Sequence, residues 1–480
     1  MNKKYMTAKM LLLVTGVAGL TAHQVSAGVG AKEKMKDTVL DKAITPEVQR
    51  PTIGWARWNE DWSVLKETGN QQLFDPIKYI PLNEEGDIYL SFGGQVRQRV
   101  EVWNNFGFTA ANDDVFLLSR YQAHADLHVT KYFRAFVEGN YTHIPDQRDL
   151  PGGTRAALDA NEGDLTNAFV DFNFELGDAD ITLRGGRQQF YFGKQRIISA
   201  LPWANNFRKW DGFSGIVKYD DVTVTPFFAW NVPTSKFNFD DIAGTENTGN
   251  GATKIFGAYA TKKGLGDLYY IGRTRTANGS SNGEAYSHTV GARRAAKIGD
   301  TGFDYEFEGA FQILTDPSND DFAYMLGGHI GYTFADVPTR PWVYTGLEMG
   351  SASYDQVFPL GHAYFGYIDA LGRGNLIDWK TGLKFSPIKK LVIQGDFHAF
   401  FREDTDEGIT TVAGGAFRGN ADPTNEAFVG TELDITAKYP IAPYTSLLVG
   451  YSHFFAGDFI DDTGSADDID FFYTQVMVRF

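Results

Sequence analysis

Phe472-Tyr473-Thr474-Gln475-Val476-Met477-Val478-Arg479-Phe480 decides the fold class of this chain. In an extended strand, Phe472, Thr474, Val476, Val478 and Phe480 share one face, and Tyr473, Gln475, Met477 and Arg479 share the other. A wholly apolar face ending on an aromatic residue suits the closing strand of an outer-membrane β-barrel, which seals the sheet and faces lipid. A sandwich strand is the plainer alternative. The terminal Phe480 also fits the signal read by the outer-membrane barrel assembly machinery.

The opposite end agrees. Lys3, Lys4 and Lys9 precede an apolar run from Met10 to Leu20, which is too short to span a bilayer, and Val25-Ser26-Ala27 supplies small residues for cleavage. Residues 1–27 read as a secretory signal peptide cut after Ala27. Residues 28–85 lack clean alternation and read as an N-terminal segment, either periplasmic or associated with the lumen. Residues 86–480 read as the barrel.

Alternation recurs along that last region. In 88–103, Ile88, Leu90, Phe92, Val96, Val100 and Val102 oppose Tyr89, Ser91, Gln95, Arg97, Arg99 and Glu101. In 115–129, an apolar face opposes Arg120, Gln122, His124, Asp126 and His128. The stretch 133–141 carries Arg134, Glu138 and Asn140 on its polar side, and 303–313 carries Asp304, Glu306, Glu308 and Gln312. Such runs approach the ten residues that cross a bilayer at a tilt. Short turns alternate with long polar stretches at 146–164, 238–254 and 403–425, as periplasmic turns alternate with extracellular loops. At about 22 residues per strand and loop, the region from Asp87 to Phe480 holds about 18 antiparallel strands, an all-β transmembrane barrel wide enough for an aqueous lumen.

Composition excludes several classes. After residue 27, no run reaches the roughly 18 apolar residues of a membrane helix. The 480 residues contain no Cys, so neither a disulfide framework nor a thiolate metal site is available. Removing the three lysines of residues 1–27 takes the formal charge from −16 to −19, which argues against nucleic acid as a partner. Catalytic signatures such as His-Glu-x-x-His and the phosphate-binding Gly-Lys-Ser/Thr are absent. His124 and His128 lie about 13 Å apart on a strand, too far for one metal ion. The aspartates between Asp458 and Asp470 lack Ca²⁺-loop spacing. No enzyme activity, cofactor or metal is expected.

The stretch Leu183-Arg184-Gly185-Gly186-Arg187-Gln188, followed by Arg196, Trp203, Asn205, Arg208 and Trp210-Asp211-Gly212, resembles a segment of the alginate export outer-membrane porin family. Phe92-Gly93-Gly94-Gln95-Val96-Arg97-Gln98-Arg99 is similar to that family's first strand, and Asp61-Trp62-Ser63 to its pre-barrel segment. The resemblance implies a monomeric barrel of 18 strands that passes anionic uronate polymer through an arginine-lined constriction. It carries over Arg187 and, on the preceding strand, Asp171. Thr166-Asn167 stands where exporters of this family carry an Arg-Glu pair, so weak, broad recognition of small anionic sugars is expected instead.

Alternation marks Arg97, Arg99, Arg120, Arg134 and Arg184 as lumen-facing, and with Arg187 and Asp171, which the resemblance implies, they make up the expected lumen path. Arginine keeps its charge and forks onto carboxylates. Two arrangements fit: an anion path, or a ladder in which Glu101, Asp126, Glu138 and Asp171 neutralise the arginines. The expected function is an anion-selective outer-membrane channel of a Gram-negative bacterium for anionic saccharides. Outer-membrane lipid and lipopolysaccharide are expected around it. A general porin, and a structural or adhesive barrel with a blocked lumen, remain open.

Overall fold

Strands with two unlike faces need a partner on each edge, and in lipid only closure supplies one for the first and last. The computed structural model describes residues 50–110, 112–145, 150, 156–234, 239, 253–276, 284–316, 319–418 and 425–480. The expected signal peptide lies outside the described residues.

The sheet begins with β1 (Ile88–Asn104), β2 (Asp114–Val129), β3 (Phe133–His143), β4 (Asn161–Leu176), β5 (Ala179–Gln188) and β6 (Trp210–Tyr219). It continues through β7 (Val222–Asn231), β8 (Lys254–Lys262), β9 (Gly266–Thr276), β10 (Glu284–Lys297), β11 (Phe303–Asp316) and β12 (Asn319–Thr333). It ends with β13 (Trp342–Gly350), β14 (Leu376–Phe385), β15 (Val392–Phe401), β16 (Phe428–Ala442), β17 (Thr445–Ala456) and β18 (Ile469–Arg479). Each strand pairs antiparallel with the next, and β18 returns to β1 in the register Gln95↔Arg479 to Asn104↔Asp470. The result is a closed barrel of 18 strands, with the two-residue strand Ile80–Pro81 added beside β1.

The expected faces hold. Phe213 and Phe311 point outward at 67% and 64% exposure, while Trp210 and Gln312 on the reverse faces are sealed. Turns such as 177–178 and 220–221 mark one end, and the long connections 144–160, 189–209, 351–375 and 402–427 mark the other. That asymmetry identifies the periplasmic and extracellular ends.

The interior differs from the simple aqueous lumen expected for this strand number. Phe108, Tyr364, Phe365, Ile368 and Leu371 from the connections pack on Trp103, Phe116, Leu118, Phe454 and Phe471 of the wall. These connections carry apolar residues that water would not accommodate, and the barrel interior is the nearest place to bury them.

Candidate functional site

Two connections turn inward and meet. Residues 189–209, between β5 and β6, and residues 351–375, between β13 and β14, form a bar across the lumen. Ser199 donates its amide to the Phe358 carbonyl at 2.8 Å, Phe358 to Ile197 at 2.9 Å, and Leu360 to Gln195 at 3.0 Å. Phe190, Ile197, Ile198, Val357 and Phe358 pack with Trp210, Phe227 and Ile271 of the wall. Each fully buried side chain of this size contributes roughly 1.5–3 kcal/mol. Leu201 adopts φ +57°, a conformation bulky residues avoid, and Ser199 Oγ fixes it by accepting the Leu201 amide at 2.9 Å.

One wall grips the bar with arginines. Arg97 donates to the carbonyls of Trp203 at 2.9 Å and Ala204 at 3.0 Å, and to Asn205 Oδ1 at 2.8 Å. Arg120 reaches the Ala204 carbonyl at 2.9 Å. Arg99 reaches the Trp203 carbonyl at 2.8 Å, pairs with Glu101 at 2.8 Å, and lies 4.3 Å from the Trp203 ring centre. Arg97 and Arg120 face each other directly across β1 and β2, and among the described residues neither has a carboxylate in ion-pair range. Arg479 of β18, the next strand, donates to Gln95 and lies 3.7 Å from the Trp55 ring centre, also without a carboxylate.

The other expected residues lie on the same wall but are held differently. Arg134 is bidentate with Asp126 at 2.7 and 2.5 Å. Arg184 is bidentate with Asp171 at 2.8 Å twice, over Phe169. Arg187 reaches Asp211 at 2.7 and 3.0 Å and Asp164 at 3.3 Å. The wall therefore mixes both arrangements left open by the sequence: a carboxylate ladder along β3 to β6, and a cluster of arginines at β18, β1 and β2. Gly186 precedes Arg187 at φ +127°, where a Cβ would sit 2.9 Å from the Phe169 Cα, so a side chain there would force β4 and β5 apart. A register shift after Glu138 brings both Thr166 and Asn167 inward, where they donate to Glu138 at 2.8 and 3.1 Å.

The facing wall clasps the bar with carboxylates. Arg196, in the bar, donates to Glu306 at 2.6 Å, Glu308 at 3.1 Å and Glu348 at 2.8 Å. Burial opposes its charge, but the carboxylates of Glu348 and Glu308 hold its pKa well above the usual value. Arg373, from the second connection, shares Glu348 at 2.9 Å. Sequence reasoning noted Arg196, Glu306 and Glu308 separately and missed both Glu348 and their meeting. Two apolar runs in connections that should face water, Ala200-Leu201-Pro202-Trp203 and Val357-Phe358-Pro359-Leu360, were the available signal.

The periplasmic mouth is occupied by the N-terminal segment. Trp58 packs edge-on against the lumenal rings of Phe136 and Phe169. Arg57 pairs with Glu60 and donates to the carbonyls of Gly94 at 3.1 Å and Phe480 at 2.7 Å. Phe74 stacks on Phe480 at 4.6 Å. Among the described residues, no group of three or more His, Asp or Glu side chains could hold a metal ion.

Residues 88–473 match the model of the alginate export family. No curated protein matches the sequence. Three solved structures share the fold. OccAB1 of Acinetobacter baumannii is 11% identical, with 85% of this chain and all of that one covered, at a TM-score of 0.55. OccK2 (OpdF) of Pseudomonas aeruginosa, solved with glucuronate, is 10% identical over 82% and 96% of the two chains, at 0.54. OpdK of the same species, solved with vanillate, is 9% identical over 81% and 98%, at 0.52.

Proposed function

Because this chain belongs to the alginate export family, we propose that it is an outer-membrane channel with an anion-preferring lumen that conducts small anionic saccharides by diffusion. The outer membrane of a Gram-negative cell is its site, and transport its role. The observation that carries the anion preference is the cluster of Arg97, Arg120 and Arg479, which have no carboxylate partners among the described residues. Buried like charges side by side destabilise a sheet. A protein that keeps them gains a positive field beside the bar that crosses the lumen, and such a field concentrates anions. Two fold relatives hold ring-shaped carboxylates, glucuronate and vanillate, which supports a substrate of that size. The bar crossing the lumen favours small saccharides over polymer.

The test is the reversal potential in a salt gradient across a planar bilayer. Wild type is expected to select anions despite its negative net charge. The double variant Arg97→Gln/Arg120→Gln is expected to move the potential towards cation preference. An unchanged potential would return the protein to the class of general porins.

A further inference from the structure

The extracellular half of the lumen holds a cavity of about 340 Å³, floored by the bar and roofed by Phe106, Gly107, residues 411–413 and Phe417. Three of its features point to a ligand. Arg208 lines it, donates to the Pro359 carbonyl at 2.8 Å, and has no carboxylate partner among the described residues. Burial and the neighbouring Arg273 lower its pKa to about 10, which leaves it charged at neutral pH. His362 lines it as well: Asp369 holds Nδ1 at 2.9 Å, while Nε2, buried, has no partner. Trp203 stacks on the His362 ring at 3.8 Å and Tyr367 meets it edge-on at 4.2 Å, which locks the imidazole in place.

An unpaired guanidinium offers two parallel donors to a carboxylate. With Nδ1 committed to Asp369, Nε2 is the ring nitrogen left to hydrogen-bond a ligand hydroxyl. Phe106, Phe417 and Phe471 also line the cavity and give it apolar surface for a ring. The volume is at the low end of small-molecule sites, about 300–1,000 Å³, and suits one or two rings rather than a polymer.

We propose that this vestibule is a docking site for a small ring that carries one carboxylate and at least one hydroxyl, with Arg208 on the carboxylate and His362 on the hydroxyl. The proposal rests on the channel reading, because a site above the constriction serves a molecule that then passes through it.

Calorimetric titration of the detergent-solubilised full-length barrel tests it with three probes: glucuronate, 4-hydroxybenzoate and glucose. At least one acid is expected to bind saturably at one site, and glucose is not; which acid binds tells a sugar source from an aromatic one. Arg208→Met is expected to weaken that binding by about tenfold or more, from loss of charge-assisted hydrogen bonds. His362→Gln is the second variant, expected to weaken it several-fold, and decides the matter if Arg208→Met fails to show the heat-modifiable mobility of a folded barrel. Absence of saturable binding by both acids, equal binding of glucose, or wild-type affinity in a folded variant would overturn the proposal. Binding without current in a bilayer would sink the channel reading alone, and anion-selective current without binding would sink the docking site alone.

Discussion

At the scale of single residues, the charges in this lumen do different work according to their partners. Arg134 and Arg184 each meet one carboxylate in a bidentate pair, which leaves little field to spare. Arg97 and Arg120 meet carbonyl oxygens, which orient the guanidinium but do not cancel its charge. Arg196 is the reverse case, one cation among Glu306, Glu308 and Glu348. Removing it leaves those acids with Arg293, Arg373 and Tyr269 alone. Breaking a buried ionic cluster from one side costs about 3–5 kcal/mol. Arg196→Gln is therefore expected to lower the temperature at which the folded band is lost in heat-modifiability gels, whereas Arg294→Gln on the outer face should not. Equal loss temperatures would mean that the clasp contributes nothing to the bar's attachment.

At the scale of elements, period-2 alternation assigns one face of every strand to lipid. Phe311, in the middle of β11, is outward and contacts Phe322 of β12 at a ring distance of 5.8 Å. A lysine on a lipid face near the bilayer midplane costs about 2–4 kcal/mol. Phe311→Lys is expected to lower the free energy of folding into lipid vesicles, read from a urea titration, by an amount in that range, with a correspondingly lower midpoint. A midpoint equal to wild type would contradict the assignment of this face to hydrocarbon. The inward connections follow different physics. Their apolar residues have no alternation to place them, so they bury where the lumen offers a surface, and backbone hydrogen bonds between residues 195–199 and 358–360 fix where they meet.

At the scale of the whole molecule, the N-terminal segment seats over the periplasmic mouth, and Lys78 tunes how firmly it does so. Lys78 is buried 5.0 Å from the Trp62 ring centre, and among the described residues its ammonium has no hydrogen-bond partner. Burial, then the nearby Arg57, lowers its pKa from 10.5 to about 8, against the pull of Glu60 and Asp75. The docked state thus binds this proton less tightly than the free segment does. Docking strengthens as pH rises from about 8 to 10.5, and below 8 it carries the full penalty, of order 3 kcal/mol. Lys78→Met is expected to resist proteolysis within residues 50–79 at pH 7. Its advantage over wild type should shrink as pH rises past 8. A constant ratio of cleavage rates across that range would show that Lys78 does not titrate against docking.

The sequence by itself determined the barrel. Alternation in 88–103, 115–129 and 303–313 is local, set by which face meets lipid, and it survives in β1, β2 and β11 with ends moved by at most a few residues. The same rule placed Arg97, Arg99, Arg120, Arg134 and Arg184 on the inner wall; Arg187, three residues beyond Arg184, and Asp171 came from the family resemblance. It could not say which arginine meets a carboxylate and which a carbonyl, because the partners of Arg97 and Arg120 lie more than eighty residues away in a connection without periodicity. Only the tertiary structure brought Arg196 to Glu348, Ile198 beside Phe358, and Trp58 between Phe136 and Phe169. Closing the cylinder decides these meetings, since distant segments become neighbours only when eighteen strands enclose a space that apolar and charged side chains must share.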